Sequence, residues 1–268
     1  MQESYRKAMA ALLRRSEPRH DLYTVFGDCM EVMAIAMANS VDRAQFEWRE
    51  ARYLQIVGQY RADIIETFPR VLAELVNALE AGIADVLGPL FHDLELHNKA
   101  RGQFFTPYSI CRMMADVSFA NEADLRALIE KRGFIRAMEP ACGAGSMLIA
   151  LVETMKTRGI NYQRHLHVTA IDIDPRAVHM AYCQLSLLHV PAHLMVGNSL
   201  SGDISEHWYT PAHILGGWNA RLASANDDEL SGGPVIQIPD AEAPVPNQQP
   251  ANEFPASAPS VPVQLSLF

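Results

Sequence analysis

Helical and strand-like segments alternate through the middle of the chain, and this alternation limits the possible fold more than any other feature of the sequence. Short apolar runs predict strands, and the segments between them have the three- and four-residue apolar spacing of helices. Strands that alternate with crossover helices pair in parallel. The predicted order is helix 109–118, helix 122–131, strand 134–138, helix 145–158, strand 166–171, helix 175–188 and strand 193–196. Residues 99–225 are therefore predicted to form a doubly wound α/β domain.

The residues on either side of this domain differ from it in pattern. From Val71 to Leu90, apolar residues recur every three or four positions, which predicts a buried helix face. Residues 1–98 lack strand-type alternation, and we expect them to form a helical lobe. Residues 226–268 contain eight of the sixteen prolines and six acidic residues but no Lys or Arg. Such a segment buries too little apolar area to offset its ordering entropy, so we expect a disordered tail.

Charge and cysteine content exclude some classes of protein. The net charge of −9 argues against a chain that wraps DNA by charge alone, although removing the six acidic tail residues leaves about −3 for residues 1–225. Lys99, Arg101 and Arg112 form either a modest basic patch or part of an ordinary solvated surface. The four cysteines have neither disulfide-type nor metal-type spacing, so we expect a reduced, cytoplasmic setting and no bound metal. No apolar run approaches the ~20 residues of a membrane span.

A glycine-containing turn follows the first predicted strand of the α/β domain. The segment Glu139 to Gly145, with the sequence EPACGAG, joins that strand to a helix at the position where an open parallel sheet binds its ligand. Gly143 and Gly145 allow the backbone to approach a ligand closely, and the free N–H groups of the helix point toward the same place. Taken alone, such a turn is weak evidence for a ligand site, and tight packing between a strand and a helix is the better explanation.

Polar residues also follow the next two strands. Asp172 ends the second predicted strand, where an acidic side chain accepts hydrogen bonds from ribose hydroxyl groups. Asp174 and Pro175 have the pattern of a cap and first-turn proline, so Asp174 is interpreted as structural. Asn198 follows the third strand, where it either binds the edge of a ligand adenine or serves only as a turn residue. These positions predict a nucleoside-binding site at the carboxyl ends of the strands.

A further segment, Gly102 to Pro107 with the sequence GQFFTP, lies upstream of the turn. Together, this segment, the turn and Asp172 resemble in order and spacing the S-adenosylmethionine-binding half of adenine-N6 DNA methyltransferases. The resemblance covers about residues 70–200 and is closest to the modification subunit of type I restriction systems. It implies a shortened class I S-adenosylmethionine-dependent methyltransferase domain, Rossmann-like and preceded by a helical lobe. A nicotinamide-binding domain is the alternative, but it has no use for the GQFFTP segment, and its turn normally holds three glycines.

The resemblance also implies the cofactor, S-adenosylmethionine, and the residues that bind it. Phe105, Thr106 and Pro107 are expected to line the methionine end of the cofactor. The other expected contacts lie in and after the turn: Glu139, Ala141, Gly143, Gly145, Asp172 and Asn198. Cys142 stands at a position that is commonly Cys in the type I subunits, so a nucleophilic thiol is not expected. Without the resemblance, the GQFFTP segment is only a loop before a helix, with two aromatic residues that pack into the core.

The catalytic signature of the family, Asn/Asp-Pro-Pro-Tyr/Phe, does not occur in the sequence, which has no Pro-Pro pair. In this family the signature holds the exocyclic amine of adenine and stacks the flipped base on an aromatic ring. In the corresponding stretch, 211–219, Trp218 and Asn219 offer an aromatic face and an amide, in reversed order.

We also expect a very short fourth strand at 213–215. Two functions stay open: adenine methylation with partner subunits, or a catalytically inactive interaction or regulatory protein.

The last residues of the chain suggest a protein partner. They resemble the Gln-Leu-x-Leu-Phe peptide by which bacterial replication and repair proteins bind the DNA sliding clamp, and the matching positions are Gln264, Leu265, Leu267 and Phe268. The tail would then tether the protein to replicating DNA. The alternative is an apolar end that folds back on the protein's own surface. Other expected partners are DNA, specificity or restriction subunits, and a second copy of the chain at the unpaired edge of the short sheet.

Overall fold

The amino-terminal part of the protein consists of helices wherever the structure describes it. The structure is a computed structural model, and it describes residues 2–16, 19–96, 106–119 and 121–229. The helices before residue 97 are α1 Gln2–Arg14, α2 Leu22–Asn39, α3 Phe46–Val57, α4 Ala62–Ile65, α5 Thr67–Glu80 and α6 Leu87–Asp93. These helices form the expected helical lobe.

The following residues form a four-stranded sheet with its helices. The strands, in their spatial order, are β1 Ile135–Glu139, β2 Leu166–Asp172, β3 Ala192–Asn198 and β4 Asp203–Tyr209. The first three strands are parallel, and β4 is antiparallel to β3. The helices are α7 Tyr108–Ser118, α8 Glu122–Arg132, α9 Ser146–Thr157, α10 Tyr162–His165, α11 Pro175–Leu187, α12 Pro211–Leu215 and α13 Trp218–Glu229. The prediction of a shortened α/β domain behind a helical lobe is confirmed.

Caps and apolar faces explain where the lobe helices begin and what they bury. Asp21 caps α2 by accepting a hydrogen bond from the Thr24 N–H at 2.9 Å, which satisfies a free amide of the first helical turn. α2 is apolar on nearly all sides because it packs against α3, α5 and α11. In α5, Val71, Leu75 and Leu79 form a buried stripe, and this helix packs along α1. The apolar spacing of the sequence therefore corresponds to a buried helix face.

The fourth strand differs from the sequence prediction in position and direction. The prediction of a strand at 213–215 is wrong, because these residues belong to α12. Pro211 begins that helix, and the side chain of Thr210 caps it by accepting from the His213 N–H. The actual strand, β4, comes earlier and pairs with β3 after a tight turn in which Gly202 has a φ of 78°. A proline and a capping threonine thus outweigh the short apolar run.

The two faces of the sheet contact different helices. Leu194 and Trp208 are register partners on one face, where Tyr182 of α11 lies 5.3 Å from the Trp208 ring, measured between centroids. His167 lies on the other face, and its Nε2 is 2.9 Å from Nδ1 of His213 in α12. Therefore α11 covers one face, while α12 and the start of α13 cover part of the other.

The helical lobe and the sheet share one continuous apolar core. α2 packs along α11, and buried residues of both parts, such as Phe26 and Val178, belong to the same cluster. Arg49 of α3 strengthens this contact by donating to the His207 carbonyl in β4 at 3.2 Å. The described helices of the lobe thus form one layer of a core that they share with the sheet.

The carboxyl-terminal part of the described chain ends in a helix. α13 runs to Glu229, past the tail boundary predicted at residue 225. Residues 230–268 lie outside the described residues, and with them the predicted clamp-binding residues Gln264, Leu265, Leu267 and Phe268. Within the described ranges, no helix is long and apolar enough to cross a membrane.

Candidate functional site

The segment Glu139–Gly145 forms the turn between β1 and α9. The Cys142 N–H donates to the Ile171 carbonyl at 2.8 Å and so ties the turn to β2. Gly145 has a φ of 89°, and a Cβ added there would lie 3.3 Å from the Cβ of Ala181 in α11. Both the left-handed conformation and the close helix favour glycine at this position. α9 begins immediately afterwards, so the free N–H groups and positive dipole end of the helix lie at the turn.

Asp172 connects the end of β2 to this turn. Its Oδ2 accepts a hydrogen bond from the Gly143 N–H at 2.8 Å, and its Oδ1 accepts one from the Asp174 N–H at 2.9 Å. Burial raises the pKa of Asp172, while backbone hydrogen bonds from Asp174, Gly143 and Ile173 act to lower it. A carboxylate has about four acceptor positions, so these bonds do not use all of them. Asp172 is therefore held at the carboxyl edge of the sheet with capacity to accept from hydroxyl groups.

Glu139 is a buried carboxyl group at the end of β1. It is 6% exposed, and its Oε1 accepts only a long hydrogen bond, 3.4 Å, from the Ala141 N–H. Burial raises the pKa of Glu139 to about 8, and the nearby negative charge of Asp172 acts in the same direction. No Lys or Arg of the described residues forms an ion pair with it. Glu139 is thus largely protonated at neutral pH, and a positively charged ligand would favour its ionised form.

Thr106 and Pro107 lie at the start of α7, which packs along α9. Pro107 is the residue before the helix, and the Thr106 carbonyl is 3.8 Å from the Cys111 Sγ. Burial raises the pKa of Cys111 to about 12, with further contributions from nearby carboxylates that include Glu139. The start of α7 therefore lies close enough to the segment Glu139–Gly145 for the Glu139 carboxylate to affect the pKa of Cys111. Phe105, the third residue predicted from this segment, lies outside the described residues.

Asn198 ends β3 and stabilises the turn that follows it. Its Oδ1 accepts hydrogen bonds from the Leu200 N–H at 2.9 Å and the Ser201 N–H at 3.4 Å. Its carbonyl oxygen thus serves as a turn acceptor, while its NH₂ group keeps two donors. Two strongly exposed apolar residues follow neighbouring strand ends at this edge, Ile173 at 72% and Leu200 at 95% exposure. An adenine ring here would meet an amide donor and apolar surface.

Thiol and metal chemistry have no support at this site. Burial raises the pKa of Cys142 far above its usual value, and the charges of Asp172 and Glu139 add to this effect. A thiol that resists ionisation is a poor nucleophile. Across the described ranges, no group of three or more His, Cys, Asp or Glu side chains is arranged to hold a metal ion. Cys142 is best explained as a packing residue of the turn.

Trp218 and Asn219 lie far from the turn. Trp218 is 1% exposed, with its ring centroid 5.1 Å from that of Phe134 and 5.3 Å from that of His167. Asn219 Oδ1 is 2.9 Å from Nε2 of His213. Phe134 precedes β1, and a five-residue strand is roughly 15 Å long, so these side chains lie at the opposite end of the sheet. Their buried contacts do not suit a base-binding role, and we do not retain them as catalytic candidates.

Two buried residues that the sequence did not single out lie beside the turn: Gln184 contacts its backbone, and Asp85 contacts Ser146, the residue that follows it. Gln184 Nε2 donates to the Ala144 carbonyl at 2.9 Å and to Asp85 Oδ1 at 3.0 Å. Asp85 precedes α6, and Gln184 lies within α11, so no local motif connects either residue to the turn. The available signal was a polar residue within an apolar stretch, which does not specify its partner.

Residues 85–215 of the chain match a protein-family model described as N-6 DNA Methylase. The match supports the adenine-N6 DNA methyltransferase family. It begins at Asp85, includes the glycine turn and Asp172, and ends with α12. The matched region therefore contains all the described residues of the candidate site.

Individual proteins similar to this chain include a methylase subunit and two solved structures. The methylase subunit of type I restriction enzyme MjaIX from Methanocaldococcus jannaschii is 25% identical over 136 residues, which are 49% of this chain but 22% of that protein. A class I S-adenosylmethionine-dependent methyltransferase from Listeria monocytogenes has a TM-score of 0.41 at 15% identity, over 76% of this chain and 56% of the other. A type I restriction–modification methyltransferase subunit from Streptococcus thermophilus has a TM-score of 0.38 at 14% identity, and the match covers 76% of this chain and 60% of the other. The chain thus spans less than a quarter of the length of the relative from M. jannaschii.

Proposed function

We propose that this protein binds S-adenosylmethionine at the turn Glu139–Gly145 and takes part in adenine-N6 DNA methylation of the type I restriction–modification kind. The observation that carries the proposal is the 2.8 Å hydrogen bond between the Gly143 N–H and Asp172. It joins a glycine turn and an acidic strand end at the carboxyl edge of a parallel sheet, where such sheets bind nucleotides. The family match over residues 85–215 supports the methyltransferase class.

The side chains at this edge suit the chemistry of the proposed cofactor. S-adenosylmethionine supplies a methyl group carried by a positively charged sulfonium, on a molecule that also has ribose and adenine. Glu139 offers a carboxylate to a cation, Asp172 has acceptor capacity left for a ribose hydroxyl, and Asn198 has amide donors for adenine. The remaining proposed contacts are Phe105, Thr106, Pro107, Ala141, Gly143 and Gly145.

The charge around the turn also argues against a phosphate-containing ligand such as a nicotinamide dinucleotide. Three carboxyl groups, those of Asp85, Glu139 and Asp172, lie in or beside the turn. None of them forms an ion pair with Lys or Arg within the part of the chain that the structure describes. A pyrophosphate here would oppose the ionisation of these carboxyl groups, and among the described residues no Lys or Arg is paired with them to offset that cost.

Methyl transfer to adenine needs groups that hold the exocyclic amine, and the sequence lacks Asn/Asp-Pro-Pro-Tyr/Phe. The described residues after β3 form β4, α12 and α13 instead of a loop at the carboxyl edge. In the proposed function, this chain therefore binds the cofactor, while partner subunits supply DNA recognition and the contacts to the target base.

The carboxyl-terminal peptide favours a second function, the recruitment of a catalytically inactive protein to replicating DNA. Leu265, Leu267 and Phe268 are apolar side chains of the kind that fill a pocket on a partner, and Gln264 can hydrogen-bond at its rim. The proposed partner is the bacterial sliding clamp. Methyl transfer separates the two functions, because only the first requires it.

Equilibrium dialysis with labelled S-adenosylmethionine tests the proposed cofactor site. Asp172→Ala removes a charged acceptor, so we expect a loss of about 1.5–3 kcal/mol, or roughly 10- to 150-fold in affinity. Asp63→Ala, an exposed change in α4, is the matched control and should bind like the wild type. Equal affinity of both variants and the wild type would contradict the site, and no binding by the wild type would contradict the function.

A further inference from the structure

Asp85 connects the helical lobe to the cofactor turn. It lies in the loop between α5 and α6, and its side chain is buried. Its Oδ2 accepts a hydrogen bond from the hydroxyl of Ser146, the first residue of α9. Its Oδ1 accepts from Gln184 Nε2 and from the Gly88 N–H, both at 3.0 Å. One carboxyl group of the lobe thus contacts α6, α9 and α11.

Gln184 extends this connection to the backbone of the turn. The residue is fully buried in α11, and its Nε2 donates to the Ala144 carbonyl as well as to Asp85. Its Oε1 accepts from the Val86 N–H at 2.7 Å and the Leu87 N–H at 3.2 Å. Both N–H groups and both acceptor positions of the amide are therefore used, which leaves a single orientation for this side chain. The fixed amide also holds the carbonyl oxygen of Ala144 in place.

We propose that Asp85 is a positioning residue for the cofactor turn and acts through Gln184 and Ser146. The glycines at 143 and 145 have no side chains that could hold the turn, so its shape depends on groups that contact its backbone. Asp172 contacts it from the sheet, and Gln184 contacts it from the side of the lobe. The inference rests on the proposed function and adds that cofactor affinity depends on the amino-terminal lobe.

Two substitutions at residue 85 separate positioning from simple loss of the side chain. Asp85→Ala leaves the Ser146 hydroxyl, the Gln184 amide and the Gly88 N–H without their acceptor in a buried place. Asp85→Asn keeps the shape: its oxygen can accept from Gln184 and Gly88, and its NH₂ can donate to the Ser146 hydroxyl, which is also an acceptor. Val71→Ala is the matched control, because it destabilises the lobe core and Val71 is not among the groups hydrogen-bonded to Asp85 or Gln184.

Hydrogen exchange of the full, ligand-free chain gives the first readout. Asp85→Ala should speed amide exchange in residues 142–148 at least roughly tenfold, whereas Asp85→Asn and Val71→Ala should leave it near the wild-type rate. If Asp85→Ala does not fold, Ser146→Ala removes one of the three donors and should show a smaller change of the same kind. Equal exchange of the turn in Asp85→Ala and Val71→Ala would reduce Asp85 to a stabilising residue and overturn the proposal.

Cofactor affinity gives the second readout, measured by calorimetry well below the unfolding temperature of each variant. Asp85→Ala should bind S-adenosylmethionine at least roughly tenfold more weakly, because one or two lost buried hydrogen bonds weaken binding by about this factor. Asp85→Asn should restore most of the affinity. Val71→Ala should bind like the wild type despite its lower unfolding temperature, and affinity that follows stability in all variants would overturn the proposal. If exchange changes as expected but no protein binds the cofactor, the connection from lobe to turn stands and the proposed function fails.

Discussion

Replacing Glu139 with Gln should make the stability of the protein less dependent on pH. Burial raises the pKa of Glu139 from 4.5 to about 8. Between these values the folded protein keeps the proton on this carboxyl group, whereas the unfolded chain releases it. The contribution of Glu139 to the free energy of unfolding is therefore fully present below pH 4.5 and is lost as the pH rises through 8.

The expected size follows from the pKa shift. One pKa unit corresponds to about 1.4 kcal/mol, so the wild type should lose about 3 kcal/mol relative to Glu139→Gln between about pH 5 and pH 8. Buried histidines act in the opposite direction: burial lowers the pKa of His167 to about 3, so its contribution is lost as the pH falls below 6.5. Both proteins contain these histidines, and their effect cancels in the difference.

Urea unfolding of both proteins at three pH values, about 5, 6.5 and 8, measures this difference. At about pH 5, Glu139→Gln should be as stable as the wild type or slightly more stable. At about pH 8, its advantage in the free energy of unfolding should be larger than at pH 5 by about 3 kcal/mol. Glu130→Gln, an exposed change on α8, is the matched control and should follow the wild type at every pH. A difference between Glu139→Gln and the wild type that stays constant across the three values would refute the reasoning.

Three further predictions concern the reaction, the tail and the sheet. The purified chain alone should not methylate adenine in mixed-sequence DNA, since its sequence lacks the Asn/Asp-Pro-Pro-Tyr/Phe signature that holds the exocyclic amine; adenine-specific methyl transfer by the chain alone would overturn this. Deleting Leu267 and Phe268 should abolish binding to immobilised sliding clamp and leave the affinity for S-adenosylmethionine unchanged, and clamp binding that survives the deletion would exclude the motif. Trp218→Ala should lower the free energy of unfolding by about 3–5 kcal/mol, because the ring is buried, and an unchanged unfolding curve would speak against that placement.

Local pattern was sufficient to predict the parallel strands but not the antiparallel one. The predicted strands at 134–138, 166–171 and 193–196 lie within two residues of β1, β2 and β3 at each end, because buried parallel strands are continuous apolar runs. β4 has the sequence DISEHWY and is half exposed, so its strand character comes mainly from pairing with β3. Pairing between strands is a long-range property that the local pattern does not contain.

The same distinction applies to the candidate site. The proximity of Asp172 to Gly143 was predictable, because neighbouring parallel strands end at the same edge and the residue after each strand lies there. The contact of Asp85 with Gln184 and Ser146 was not, since it depends on how the lobe packs against α11 across the common core. The buried position of Trp218 was not predictable for the same reason, because it depends on the packing of α13 over the amino ends of the strands.

Calorimetric titration of the full chain with S-adenosylmethionine at pH 7, in two buffers of different ionisation enthalpy, tests most directly whether this turn binds the cofactor. Glu139 is largely protonated in the free protein, and a bound cation should ionise it. We therefore predict a saturable heat with release of close to one proton per bound cofactor, and no such release from Glu139→Gln. No saturable heat at about millimolar cofactor, a level at which even weak specific binding is detected, would contradict binding at this site.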